Sequence, residues 1–235
     1  MADYTAPDFL RLDEQLSHEE RIARDAVREF VSKEFLPVIQ EHVRQDGSFP
    51  MELVPRMAEL GLFGPNLEGY GCAGMSNVAY GLVMQELERG DSGLRSFSSV
   101  QSSLVMYPIL TYGSDAQKDR WLPELCAGRA IGCFGLTEPD FGSHIGAMRT
   151  RAERKGDRWV LNGAKRWITN GTLSQVALVW ARTEDGVRGF LVETDREGFE
   201  ARDIKGKFSL RGSVTSELFF HDVEVLETER LPHAE

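Results

Sequence analysis

Residues 159–171 read WVLNGAKRWITNG. β-Branched and aromatic residues dominate the run, and its two Asn-Gly pairs, Asn162-Gly163 and Asn170-Gly171, match the tight turns that join antiparallel strands. Trp159-Val160-Leu161 and Lys165 to Thr169 are therefore predicted strands. Val176 to Trp180 and Val187 to Val192 flank a third such pair, Asp185-Gly186, and Glu217 to Val225 adds another β-rich run. No helix-length segment separates these runs. A doubly wound parallel sheet needs crossover helices, so the expectation for residues 129–235 is an antiparallel β-barrel or sandwich.

Before residue 128 the apolar period becomes helical. Ser17 and Glu20 are spaced as a capping box, ahead of Ile22, Ala23, Ala26, Val27, Phe30 and Val31 on one helical face. Pro37 should kink or interrupt that helix. Further helices are predicted from about Met51 to Leu60, from Ser76 to Arg89 with Gly90 as the stop, and from Ser92 to Tyr107, where Pro108 disturbs the run. Ser114 and Gln117 repeat the capping-box spacing before Trp121, Leu122 and Leu125. The chain thus reads as α+β, with an N-terminal all-α helical domain at 1–128 and a middle β domain at 129–235.

The 235 residues are 41% hydrophobic and 27% charged, the balance of a globular chain with a real core. The formal net charge of −10, with no Lys/Arg-rich run, disfavours nucleic acid and anionic membrane surfaces as partners. That charge is uneven: residues 1–128 hold 11 Lys/Arg against 20 Asp/Glu, whereas residues 129–235 hold 16 against 17. An anionic ligand would prefer the second half. Cys72, Cys126 and Cys133 have neither the even count of a disulfide framework nor the spacing of a zinc site, and they read as free thiols. No window approaches the roughly 20 apolar residues of a membrane span, and the start, MADYTAPDFL, is acidic. A cytoplasmic location is the expectation.

Motifs narrow the chemistry. GYGCAG (69–74) matches a dinucleotide fingerprint formally, but two glycines and a proline precede it where a buried strand is required, so it reads as an interhelical loop. There is no GxSxG, HExxH or phosphate-loop motif, and the five histidines are scattered. In IGCFGLTEPDFGSH (131–144) an apolar strand runs into Thr137, Pro139 and then Gly142-Ser143. Free amides and hydroxyls at such a strand end can bond a planar heterocycle or a phosphate oxygen, although an ordinary loop exit has the same pattern. Strand alternation puts Trp167 and Thr169 on one face and Ile168 on the other, which suits a flat ring system or plain core packing. Arg95, Ser99 and Ser102 form a polar stripe on one helix, and Glu88 could orient the guanidinium to clamp a carboxylate.

Taken in order along the chain, ELERGDSGLRSFSSVQSSLVMYPI (86–109), GCFGLTEP (132–139), LNGAKRWITNG (161–171) and KFSLRGSVTSELFFHDVEV (207–225) resemble the acyl-CoA dehydrogenase family, glutaryl-CoA dehydrogenase branch. The resemblance covers essentially the whole chain. It implies FAD as cofactor, with Phe134 through Ser143 lining the flavin and the CoA pyrophosphate: Leu136 and Thr137 against the ring, and Gly142 and Ser143 toward phosphate or ligand. The resemblance likewise implies that Trp167, Ile168 and Thr169 are the second flavin strand. Arg95 is implied to hold the distal carboxylate of glutaryl-CoA, supported by Ser96, Ser99 and Glu88. The implied reaction is loss of an α-proton to a carboxylate and of a β-hydride to flavin, then loss of CO2 in this branch, with an electron-transfer flavoprotein as acceptor.

Two departures fall in the first motif, where Phe141 stands for a small residue and His144 for an aspartate. Leu226, where proline is common, is a lesser one. Family members also carry a further C-terminal helical domain that brings the catalytic glutamate and most of the oligomer interface, and no part of these residues corresponds to it. Glu138 belongs to the flavin-side turn and Glu88 to Arg95, so no substitute base is nominated. The expectation is an acyl-CoA dehydrogenase whose base lies elsewhere, homo-oligomeric in full-length form. The alternative is an acyl-CoA or FAD-binding module without turnover.

Overall fold

The computed structural model describes residues 9–44 and 48–234, and the acidic opening up to residue 8 lies outside them. Seven α-helices come first among the described residues: α1 (His18–Phe30), α2 (Leu36–Arg44), α3 (Val54–Glu59), α4 (Asn77–Gly90), α5 (Ser92–Ser99), α6 (Tyr107–Tyr112) and α7 (Asp115–Cys126). Both predicted capping boxes form, at Ser17/Glu20 and Ser114/Gln117. Neither proline ends its helix, and both share one device. A π-helical turn at Val31–Phe35 precedes Pro37, and another at Val100–Met106 precedes Pro108. The wider turn relieves the missing N–H and the ring clash, so each rod continues through its proline. No described helix is long and apolar enough to cross a membrane.

Seven strands follow: β1 (Gly132–Gly135), β2 (Arg151–Lys155), β3 (Arg158–Thr169), β4 (Val176–Thr183), β5 (Gly186–Glu193), β6 (Phe199–Asp203) and β7 (Thr215–Leu226). They form one sheet ordered β1-β4-β2-β3-β7-β6, with β5 on the other edge of β4. Most pairs are antiparallel, but β1 and β2 both run parallel to β4, through Gly132↔Val176 to Gly135↔Val179 and at Arg151↔Arg182. The sheet is therefore mixed. β1 and β2 lie end to end along one track, and residues 136–150 are an excursion between them.

The turn signals fare differently. Asp185 lies in the β4–β5 hairpin, which closes on Thr183 and Gly186. Asn162-Gly163 is no turn: it sits inside β3, where Asn162 exchanges side-chain bonds with Asp222 across a register shift. Asn170-Gly171 does turn the chain, with Asn170 left-handed at φ 67°, but it leads to β4 without pairing β3 to it. The hairpin that does join β3 to its predecessor turns at Gly156 and Asp157. β4 divides the core. Val176 and Leu178 pack among helical residues such as Phe97 and Met106, while Ala177, Val179 and Ala181 face the inside of the curled sheet with Phe190, Phe220 and Trp159.

Candidate functional site

Two segments singled out from sequence meet at the exit of β1. The Arg166 N–H donates to the Thr137 carbonyl at 2.8 Å, and the Lys165 ammonium donates to the Leu136 carbonyl at 3.0 Å. These bonds bring the Leu136-Thr137 exit and the Trp167-Ile168-Thr169 end of β3 side by side. Lys165 is fully buried and forms an ion pair with Glu138 at 2.9 Å. Glu138 in turn accepts from the Arg149 and Thr150 amides at 2.6 and 2.9 Å. The pair therefore ties both feet of the 136–150 excursion to β3.

Burial alone would raise the Glu138 pKa, and that is the largest single influence on it. The bonds from Arg149, Thr150 and Lys165 together outweigh burial and hold it below the usual carboxylate range. Burial draws Lys165 below its ordinary value, and Glu138 partly opposes this. Sequence reasoning placed Glu138 in the turn but missed Lys165. A lysine at an inward position of a strand was the available signal, because a buried ammonium requires a partner.

The end of β3 departs from plain alternation. Its register against β7 slips between Lys165/Leu218 and Ile168/Ser216, and Trp167 takes a left-handed φ of 64°. With two residues opposing one, Lys165 and Ile168 both point inward, so the predicted face-sharing of Trp167 and Thr169 does not follow from a regular strand. The bulge instead turns the Trp167 indole outward, 56% exposed, with the Arg166 guanidinium 4.9 Å from its ring centre. The Thr137, Ser143 and Thr169 hydroxyls bond no partner among the described residues, and the buried Asn170 amide next to Thr169 is likewise unsatisfied.

Phe134 and Leu136 line an apolar cavity of about 640 Å³ together with Tyr112, Ile145, Met148 and Trp180. Trp180 packs edge-on to Phe134 at 6.3 Å, and its indole N–H is buried without a partner. Gly142, Ser143 and His144 stand exposed on the excursion. Phe141 folds back, exchanging backbone bonds with Glu138, and its ring lies 5.3 Å from the Arg149 guanidinium.

The second constellation is on the helical side. Arg95 donates through Nε to Glu88 at 2.8 Å and through Nη1 to Ser99 at 3.4 Å. Ser99 donates to the Ser96 carbonyl, so Ser96 contributes backbone here. Ser92, not singled out from sequence, bonds the other Glu88 oxygen, and the two bonds hold Glu88 below the usual carboxylate range, that from Ser92 being the larger influence. The Arg95 side chain is 38% exposed, and its Nη2 is uncommitted among the described residues. None of Glu88, Arg95, Ser96 and Ser99 lines the Phe134 cavity. The rod that carries Arg95, Ser96 and Ser99 does pack on β1: Gln101 accepts from the Gly132 N–H at 2.8 Å, and a Cβ on Gly132 would stand 2.5 Å from Val105. No metal-ligating cluster occurs among the described residues.

A helical bundle packed on a curled mixed sheet, with a polar strand exit beside an exposed indole, defines a two-part scaffold that other proteins share. The family model for the acyl-CoA dehydrogenase N-terminal domain matches residues 17–129, and that for the middle domain matches 133–223. The chain belongs to the acyl-CoA dehydrogenase family. It is 38% identical over 220 residues to a probable acyl-CoA dehydrogenase, YngJ, of Bacillus subtilis, covering 90% of this chain and 57% of that one. It is 38% identical over 204 residues to the human mitochondrial short-chain specific acyl-CoA dehydrogenase, covering 84% and 49%. A glutaryl-CoA dehydrogenase of Mycobacterium smegmatis, solved in complex with FADH2, superposes with a TM-score of 0.95 at 53% identity over 97% of this chain and 59% of that one. The chain thus spans about half the length of the curated relatives it matches.

Proposed function

We propose that these residues form the flavin- and acyl-CoA-binding portion of an acyl-CoA dehydrogenase of glutaryl-CoA type. The observation that carries the acyl specificity is Arg95: Glu88 and Ser99 fix its guanidinium, yet one nitrogen stays uncommitted. An anchored but unsaturated fork suits a carboxylate at the far end of a dicarboxylic thioester. The β1 and β3 ends fit FAD. Hydroxyls on Thr137 and Thr169 without protein partners, the unsatisfied Asn170 amide and the outward Trp167 indole match the edge and face of a flat, polar-rimmed ring. Bound FAD would supply the hydride acceptor for α,β-dehydrogenation. Within this chain, Leu136 and Thr137 position the ring edge, Trp167 supports its plane while Ile168, buried inward, offers only backbone, and Gly142 and Ser143 offer backbone and hydroxyl toward phosphate. The base that takes the α-proton is proposed to come from outside these residues, as Glu88 and Glu138 are both committed. An electron-transfer flavoprotein as acceptor and homo-oligomeric assembly belong to the same proposal.

The test is ligand discrimination. Arg95→Ala should weaken glutaryl-CoA binding, measured calorimetrically on the FAD-loaded protein, by about 30-fold, the equivalent of ~2 kcal/mol for a lost charge-assisted pair. Butyryl-CoA should bind nearly as before. Equal loss for both ligands removes Arg95 from the site. The second reading, a binding module without turnover, is favoured by Phe141 folded against Arg149 and by His144 exposed on the excursion. A protein that stays colourless through FAD titration defeats the enzyme reading, and a full-length form that binds FAD and is bleached by glutaryl-CoA defeats the module.

A further inference from the structure

Tying down the excursion does not by itself explain why β3 buries a lysine. The Lys165 side chain is wholly out of water, and that of Glu138 is 4% exposed. Desolvation offsets most of the attraction in such a pair, and apolar side chains of similar volume could join the same segments. An apolar pair could not polarise a particular peptide. The lysine stem runs over Gly135, where a Cβ would stand 3.4 Å from its Cγ, and brings the ammonium to the Leu136 carbonyl at 3.0 Å as well as to Glu138. Glu138 is held in place by the Arg149 and Thr150 amides, one on each oxygen. The Leu136 carbonyl and the Thr137 N–H belong to one trans peptide, so they point in opposite directions. With Lys165 on the carbonyl side, the N–H is aimed away from the buried ammonium. It bonds no acceptor among the described residues, although Thr137 is half-buried. A carbonyl that accepts from a cation polarises its peptide and strengthens the N–H at the other end as a donor.

We infer that Lys165, held by Glu138, is a positioning residue that makes the Leu136–Thr137 peptide a strengthened donor for a ring edge that gains negative charge on reduction. This rests on the reading of the strand end as a flavin site. Lys165 acts only through the peptide. Its ammonium draws electron density from the Thr137 N–H by way of the carbonyl, and so favours the reduced, more negative ring over the oxidised one. The Glu138 carboxylate, beside the ammonium, opposes that effect. Loss of either charge breaks the same ion pair. A purely structural role would therefore move both variants in one direction, whereas an electrostatic role moves them apart.

FAD and dithionite-reduced FAD are the probes, and the ratio of their dissociation constants on the full chain at pH 7, taken anaerobically by calorimetry, is the readout. Lys165→Met should lower the relative affinity for reduced FAD by about tenfold or more, equivalent to a two-electron potential about 30 mV lower. Glu138→Gln should raise that relative affinity by about twofold or more. The double variant strands no buried charge, so it should fold even if Lys165→Met does not. It should still show a fall of about threefold or more, because the donor to the Leu136 carbonyl is gone. Equal weakening of both forms of FAD in Lys165→Met and in the double variant would overturn the inference and leave the flavin site standing, the pair then serving only to fasten the excursion. A fall shared by Lys165→Met and Glu138→Gln would overturn it as well. An unsubstituted chain that binds neither form of FAD would remove the flavin reading itself, and this inference with it.

Discussion

Glu86 shows how much of this scaffold rests on single charges out of water. It sits on α4 only 1% exposed and accepts from Arg28 of α1 at 2.7 Å and from Arg89 at 2.8 Å. Burial acts upward on its pKa and is the largest single influence, yet the two arginines bring the net value below the usual carboxylate range. Its contribution to stability is therefore complete above the unfolded-state value of about 4.3 and is lost as pH falls through the lower folded-state value. Urea midpoints measured from pH 7 down to pH 3 should fall over that acid window, and Glu86→Gln should be less stable at pH 7 with a shallower acid fall. An unchanged acid slope would show that other carboxylates carry it. The polar residues of the candidate site were legible where chemistry is local: Glu88, Arg95 and Ser99 lie on adjoining helices at 88, 95 and 99, and they do meet. Lys165 was not legible, because its partner Glu138 is 27 residues away and only the fold joins them.

Elements announced by local signals, the capped helices above all, could be read directly, since a cap is a contact within four residues. β2 escaped notice because RAERK is charged and buries only Ala152. The irregularities of β3 escaped too, as a bulge is a relation between two strands and leaves no mark on one. Gly163 is the sharpest case. It has φ +148°, and a Cβ there would lie 2.6 Å from the Thr150 Cα, a backbone atom with no freedom to yield. Gly163→Ala should cost at least about 2 kcal/mol by combining a disallowed φ with a backbone clash. Denaturant unfolding checks this, and a loss below about 0.5 kcal/mol would show that the strand pair can slide apart freely.

Across the whole molecule, Gln101 is the join between bundle and sheet. Fully buried, it donates to the Leu125 carbonyl at 3.0 Å and the Ala130 carbonyl at 2.9 Å, and it accepts from the Gly132 N–H at 2.8 Å. It thereby satisfies backbone at the end of α7, in the connection and at the start of β1. Gln101→Leu would orphan the Ala130 carbonyl and the Gly132 N–H, the Leu125 carbonyl keeping the Gly128 N–H, and should cost about 2 kcal/mol or more, at roughly 1–3 kcal/mol per unsatisfied group. Calorimetry should show a lowered transition, and an unchanged one would mean that the join is made elsewhere. The change of periodicity near residue 128 is visible in sequence, but this join is not, since Gln101 lies 24 to 31 residues from its partners. The widened turn at residues 100–106, which contains Gln101, works as a gear change within a single rod. Removing one residue from it would restore the ordinary pitch and rotate everything upstream, Arg95 included, by about 100° relative to Pro108. A one-codon deletion there would re-aim the guanidinium without altering any atom of it.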